Sequence, residues 1–238
     1  ERLERGSIVP EFTEVDQLEM NDLIGYPIPT FCEDTPGLSE ADCRMLGVLF
    51  MGGSLEEVVS VDGDTSKAHS RMVVNLPPSR QRHAKPLEFL RSYCSSKLIE
   101  LEEDNDDEFL RVEWALKEHF PITNDMLDSN ILPGFVLHLP EPKIKQVLAG
   151  ILDMIFVRHG PKAINMDIQT MEKGFIYQML YMLMRLRIPY LRQSNNLLIF
   201  KTRALVDLLG LEPDEEQPND EELLEWKGIV YSKLMFRQ

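Results

Sequence analysis

The sequence is poor in the features that announce chemistry. It has no G-x-G-x-x-G turn, no G-x-x-x-x-G-K-[ST] loop, no H-E-x-x-H helix and no G-x-S-x-G elbow. Their absence excludes the common dinucleotide, nucleotide, zinc-protease and serine-hydrolase sites. Cysteine is scarce: Cys32, Cys43 and Cys94 are odd in number, widely spaced and without a C-x-x-C pair. That excludes a disulfide framework or zinc knuckle and points to a reducing compartment. The histidines, His69, His83, His119, His138 and His159, are equally scattered. No apolar run approaches the roughly 18–20 residues of a membrane span. The charged opening Glu1-Arg2-Leu3-Glu4-Arg5 has no apolar stretch behind it, so it does not read as a signal peptide. These absences lead us to expect an intracellular protein, cytoplasmic or nuclear, that is not an enzyme and has no catalytic residues, cofactor or metal.

Charge is what the sequence has in excess, and it is unevenly spread. The net is −15 over 238 residues. Residues 1–142 hold 28 acidic and 12 basic side chains, residues 143–203 hold 3 and 10, and residues 204–238 hold 9 and 3. A basic block of net +7 therefore sits between acidic flanks, suited to nucleic acid, to an acidic protein or to the chain's own acids.

Three regions follow from the local patterns. Residues 1–38, with Pro10, Pro27, Pro29 and Pro36, read as an extended arm or strap. Residues 39–140 read as an acidic, irregular helical region. Ser39-Glu40-Ala41-Asp42 is capping-box-like and opens a helix through Met45, Leu46, Val48 and Leu49, stopped by Gly52-Gly53. Ser54-Leu55-Glu56-Glu57 repeats the capping pattern, 61–85 reads as a loop, and a helix is expected over 86–100. Residues 102–108 read as an acidic connector, and 109–120 as a short helix through Leu110, Val112, Trp114 and Ala115. Residues 141–238 read as a helical domain with a basic hairpin. Helices are expected over 143–158 and 168–187, a hairpin around Ser194-Asn195-Asn196, a short helix from Arg203 to Leu209 and a last helix capped by Asn219. No internal repeat of the usual 20–50-residue periods is evident.

The expected fold is thus mainly α with one small β-hairpin. Helices 143–158 and 168–187 followed by the hairpin 189–201 resemble a winged-helix module, which implies a nucleic-acid or protein groove contacted by helix and wing. Tyr190-Leu191-Arg192-Gln193 and Arg203-Ala204-Leu205-Val206 also resemble the end of the second winged helix of the MAGE homology domain. Leu132-Pro133-Gly134-Phe135 and Arg192-Gln193-Ser194-Asn195-Asn196-Leu197-Leu198 resemble phrases of nuclear-receptor ligand-binding domains. The candidate binding residues are Arg185, Arg187, Arg192, Lys201 and Arg203, because guanidinium groups fork onto phosphate or carboxylate. The function read from this is a protein-interaction adaptor or scaffold subunit whose partners are other protein subunits. The alternative is a viral or nuclear nucleic-acid-binding protein using the basic region 143–203. Cys94 reads as an inert buried thiol rather than a nucleophile paired with His119.

Overall fold

The computed structural model describes residues 14–17, 23–62, 65–76, 80–105, 110–115, 131–155, 157–160, 163–169, 171–193, 196–200, 202–211, 224–226 and 229–233. Strand β1 (Leu23–Pro27) precedes α1 (Glu40–Gly52), β2 (Gly53–Asp62), β3 (Thr65–Leu76), α2 (Arg80–Ser96), β4 (Glu102–Asn105) and β5 (Leu110–Ala115). A run of the same kind then follows: α3 (Glu141–Met154), β6 (Val157–His159), β7 (Ala163–Asp167), α4 (Lys173–Arg185), β8 (Tyr190–Gln193) and β9 (Asn196–Phe200). After it come α5 (Arg203–Leu209), β10 (Leu224–Trp226) and β11 (Ile229–Lys233). The order helix-strand-strand-helix-strand-strand therefore occurs twice. The sheets repeat it: β2-β3-β5-β4 in the first and β6-β7-β9-β8 in the second. A third sheet, β1-β11-β10, pairs the two ends of the described chain.

Two compact units divide these elements. One holds Cys32–Val157 with Thr170–Met179; the other holds Glu1–Phe31, Arg158–Gln169 and Leu180–Gln238. Within the first, Ser39 caps α1 as its sequence suggests. The Ser39 side chain accepts from the Asp42 N–H (3.1 Å), and the Ser39 N–H donates to Asp42 Oδ2 (2.9 Å). The Tyr93 hydroxyl of α2 donates to the same carboxylate at 2.7 Å, and Lys97 Nζ lies 3.1 Å away.

α1 packs on α3, and the contact is between backbones. A Cβ on Gly47 would overlap the Val147 carbonyl oxygen and lie 2.9 Å from Ile151 N. A Cβ on Gly150 would overlap the Arg44 carbonyl and lie 2.9 Å from Val48 N. The two helices so share one reciprocal crossing that only glycine fits. Around it Met45, Val48, Leu49, Ile144, Val147, Leu148 and Ile151 are fully buried, which is the stripe that the sequence promises for the second helix. Arg44 ties the crossing from outside, bonding Asp153 Oδ2 at 2.6 Å while lying 4.6 Å over the Phe89 ring. Lys85 joins the same carboxylate group at 3.4 Å.

Several expectations are corrected here. The chain is not mainly α with one hairpin: mixed α/β architecture with three antiparallel sheets replaces it. The winged-helix reading of 141–238 fails because strands β6 and β7 occupy 157–167, between α3 and α4. Residues 110–115 are strand, not helix. Leu110, Val112 and Trp114 alternate with Arg111 and Glu113, so the period is two, and the alternate residues are buried. The loop at 61–85 holds β3, the acidic connector opens with edge strand β4, and Ser54 continues a strand instead of capping a helix. The last helix from Asn219 is displaced by β10 and β11, rich in β-branched and aromatic residues. Within the arm, Leu23–Pro27 is a strand paired with β11.

Two outcomes test this packing. Alanine ordinarily stabilises a helix interior over glycine by up to about 1 kcal/mol. Gly47→Ala and Gly150→Ala should each instead lower unfolding free energy by about 2–3 kcal/mol, read by denaturant titration. The second concerns Asp42. Burial opposes its ionisation, but bonds from Ser39, Tyr93 and Lys97 outweigh this and bring its pKa from 3.8 down to about 2. A depressed pKa contributes stability above 3.8 that is lost as pH falls toward about 2, amounting to at most about 2 kcal/mol. Asp42→Asn should flatten the acid limb of the stability curve in that window.

Candidate nucleic-acid interface

Each face of the first sheet has its own chemistry, set by the period-two pattern. On one face Met72, Val74, Leu76, Leu110, Val112 and Trp114 are buried, with α1 and α2 against β3. Glu103 stands in register with Val112 on that side and takes a two-pronged bond from Arg91 of α2, at 2.7 and 2.8 Å.

The opposite face gathers charged side chains around Val73, which is fully buried in register with Ser54 and Glu113. Arg71 stands opposite Glu56, Arg111 opposite Asp104, and Glu113 opposite Glu102. Glu113, only 14% exposed, bridges both arginines: Arg71 Nη1 bonds its Oε1, and Arg111 Nη2 and Nε lie 3.2 and 3.3 Å from its Oε2. Arg111 Nη2 also bonds Glu56 Oε2 at 2.7 Å, and Arg71 Nη1 is 3.8 Å from Glu102. The hydrogen bond to Glu56 raises the Arg111 pKa, against the opposing pull of desolvation. Among the described side chains this face carries the four carboxylates Glu56, Glu102, Asp104 and Glu113 against two guanidinium groups.

The second sheet belongs to the basic segment. Ile164 and Met166 of β7 are buried in register with Ile199 and Leu197 of β9. Asn165 and Asp167 take the alternate, more open positions, and Arg158 on β6 is exposed.

The five arginines and lysines expected at the hairpin are placed differently from one another. Arg185 ends α4 and is buried, 4% exposed. Arg187 takes the left-handed backbone (φ 57°) that closes α4, and the N–H of Ile188 donates to the Leu183 carbonyl at 2.9 Å. Arg192 lies on β8 in register with buried Leu197. Arg203 is exposed at the start of α5, behind the Thr202 cap, and Lys201 lies outside the described residues. Residue-by-residue reading missed Arg71, Arg111 and Glu113, although the alternation of 110–115 carries the signal. Burial pushes the thiols of Cys43 and Cys94 up to about 11, so both are poor nucleophiles at neutral pH. His119 lies outside the described residues.

No protein-family model matches the sequence, and no curated protein matches it. Solved structures do. A variant of I-DmoI in complex with its target DNA in the presence of Mg aligns with a TM-score of 0.50 at 11% identity, covering 74% of this chain and 98% of that one. I-DmoI in complex with DNA and Ca gives 0.49 at 10% identity, covering 75% and 92%. A mutant of I-SmaMI gives 0.36 at 10%, covering 68% and 78%. The fold is similar to that of I-DmoI, a homing endonuclease of the LAGLIDADG type. This overturns the winged-helix and all-helical expectations. DNA endonucleases share this fold, so the expectation of a chain that is not an enzyme is withdrawn.

Mg in the first of those structures raises the question of a metal. Such hard cations take several oxygen ligands, carboxylates foremost. Among the described residues no group of three His, Cys, Asp or Glu stands close enough to hold an ion. Where α1 ends, a Cβ added to Gly52 would crowd the Met154 methyl and lie 3.0 Å from the Asn75 carbonyl oxygen. The described residues do not fit a divalent cation. No described helix is long and apolar enough to cross a membrane.

Proposed function

We propose that this chain is a DNA-binding protein of the homing-endonuclease kind, taking duplex DNA on the open faces of its two four-stranded sheets. The observation that carries the reading is the duplication. The same six elements occur twice, each copy ending in an antiparallel sheet of the same strand order. An antiparallel sheet can bury one face and offer the other to solvent. Strands of that kind enter the major groove, where each base pair shows a distinct pattern of donors and acceptors. A duplicated module suits a duplex site made of two half-sites.

Charge supports the same reading. The second copy, α3 to β9, lies in the segment of net +7, in a chain whose total is −15. Phosphate contacts from that segment release counterions, and acids elsewhere oppose DNA at long range. Binding should therefore be local and steep in salt. The neighbour that shares the fold was solved with its target DNA.

Fluorescence anisotropy with a mixed-sequence duplex, the matching single strand and an RNA duplex tests this. The DNA duplex should bind tightest, and its affinity should fall by roughly a hundredfold between about 50 and 200 mM salt, as some four phosphate contacts require. No duplex binding at the lower salt, or affinity indifferent to salt, would refute the reading. Adding Mg to the bound duplex then reports whether strands are cut.

A further inference from the structure

We infer that the ends of α1 and α3 are closed to a divalent cation and, on the DNA-binding reading above, that the duplex is held without one.

Backbone geometry alone would invite a cation there. The last carbonyls of a helix form the negative end of its dipole. Past their crossing at Gly47 and Gly150, the two helices run on together to Gly52 and Met154, where a Cβ on Gly52 would crowd the Met154 methyl. Each end leads into a sheet: Gly53 opens β2, and Val157 opens β6.

The side chains at these ends oppose it. Mg and Ca take several oxygen ligands, with carboxylates foremost. The last turn of α1 is Leu49-Phe50-Met51-Gly52, which has no carboxylate, and α3 closes on Met154 and Ile155. The acid in the last turn of α3, Asp153, is already neutralised. Its Oδ2 accepts from Arg44 Nη2 at 2.6 Å and Nε at 3.1 Å, and Lys85 Nζ lies 3.4 Å from its Oδ1. Its side chain is only 5% exposed. A divalent ion would have to approach two cations and take a buried carboxylate from both, leaving the guanidinium of Arg44 unanswered. Arg44 and Lys85 thus bring from within the positive charge that a metal would bring from outside. Nor is there room for another ligand on α1. Any side chain at Gly52 would start against the Met154 methyl and 3.0 Å from the Asn75 carbonyl oxygen.

Titration of the full chain with Mn, free and on a duplex, tests both halves, with unbound Mn read by electron paramagnetic resonance. The free chain should leave the Mn signal at full strength, and the complex should withhold no more Mn than the duplex alone. Duplex affinity should agree within about twofold between Mg and EDTA at matched ionic strength, because phosphate contacts answer to salt and not to a resident ion. One Mn withheld per free chain and released by Asp153→Asn would overturn the closure. Should that variant fail to fold, a Mn that broadens the Met154 methyl resonance before the other methionine methyls overturns it equally. Affinity lost in EDTA overturns the cation-free hold on DNA. A chain that takes no duplex in either buffer refutes the DNA-binding reading, while the Mn signal of the free chain still decides the closure.

Discussion

The backbone contact between α1 and α3 is the constraint on which the structure depends. Each copy of the repeated module begins with a helix, and in both that helix places a glycine against the partner's main chain. A side chain at either position would separate the helices. The fully buried side chains around the crossing, from Met45 to Ile151, would then lose their fit, and close-packed interiors tolerate little of that. The Arg44–Asp153 bond can form only at this separation, and Lys85 and Phe89 of α2 gather around it. The first sheet follows directly from α1, since Gly53 both caps the helix and starts β2.

From that framework the two copies diverge in chemistry while keeping one topology. The first presents arginines locked into a surplus of carboxylate. The second lies in the part of the chain where basic residues outnumber acids 10 to 3. Topology is fixed by core and crossing, which leaves the exposed strand positions freer to vary.

Much of the α-helical structure is legible in the sequence. The capping box at Ser39, the stripe from Ile144 to Ile151, the hairpin around residue 194 and the helix from Arg203 are found where local pattern places them. The sheets are not, for identifiable reasons. Leu110, Val112 and Trp114 keep a period of two, yet the run is short enough to pass for helix. β4 is Glu-Glu-Asp-Asn, a composition that signals a loop until Arg91 is seen to engage Glu103. The duplication is invisible because the copies share positions and not residues. One trace remains: Leu46-Gly47-Val48-Leu49 and Ala149-Gly150-Ile151-Leu152 each set a glycine inside an apolar helix, where it would cost stability without a packing reason. Of the interface, the basic segment is legible as a segment. Its individual residues are not, since charge counting cannot distinguish buried Arg185 from exposed Arg203.

The central claim, that a duplicated module grips a duplex with both copies, is tested most directly by a hydroxyl-radical footprint on a duplex selected by the full chain. The account predicts two protected stretches, one for each sheet. A single protected patch, or uniform reactivity along the bound duplex, would contradict it.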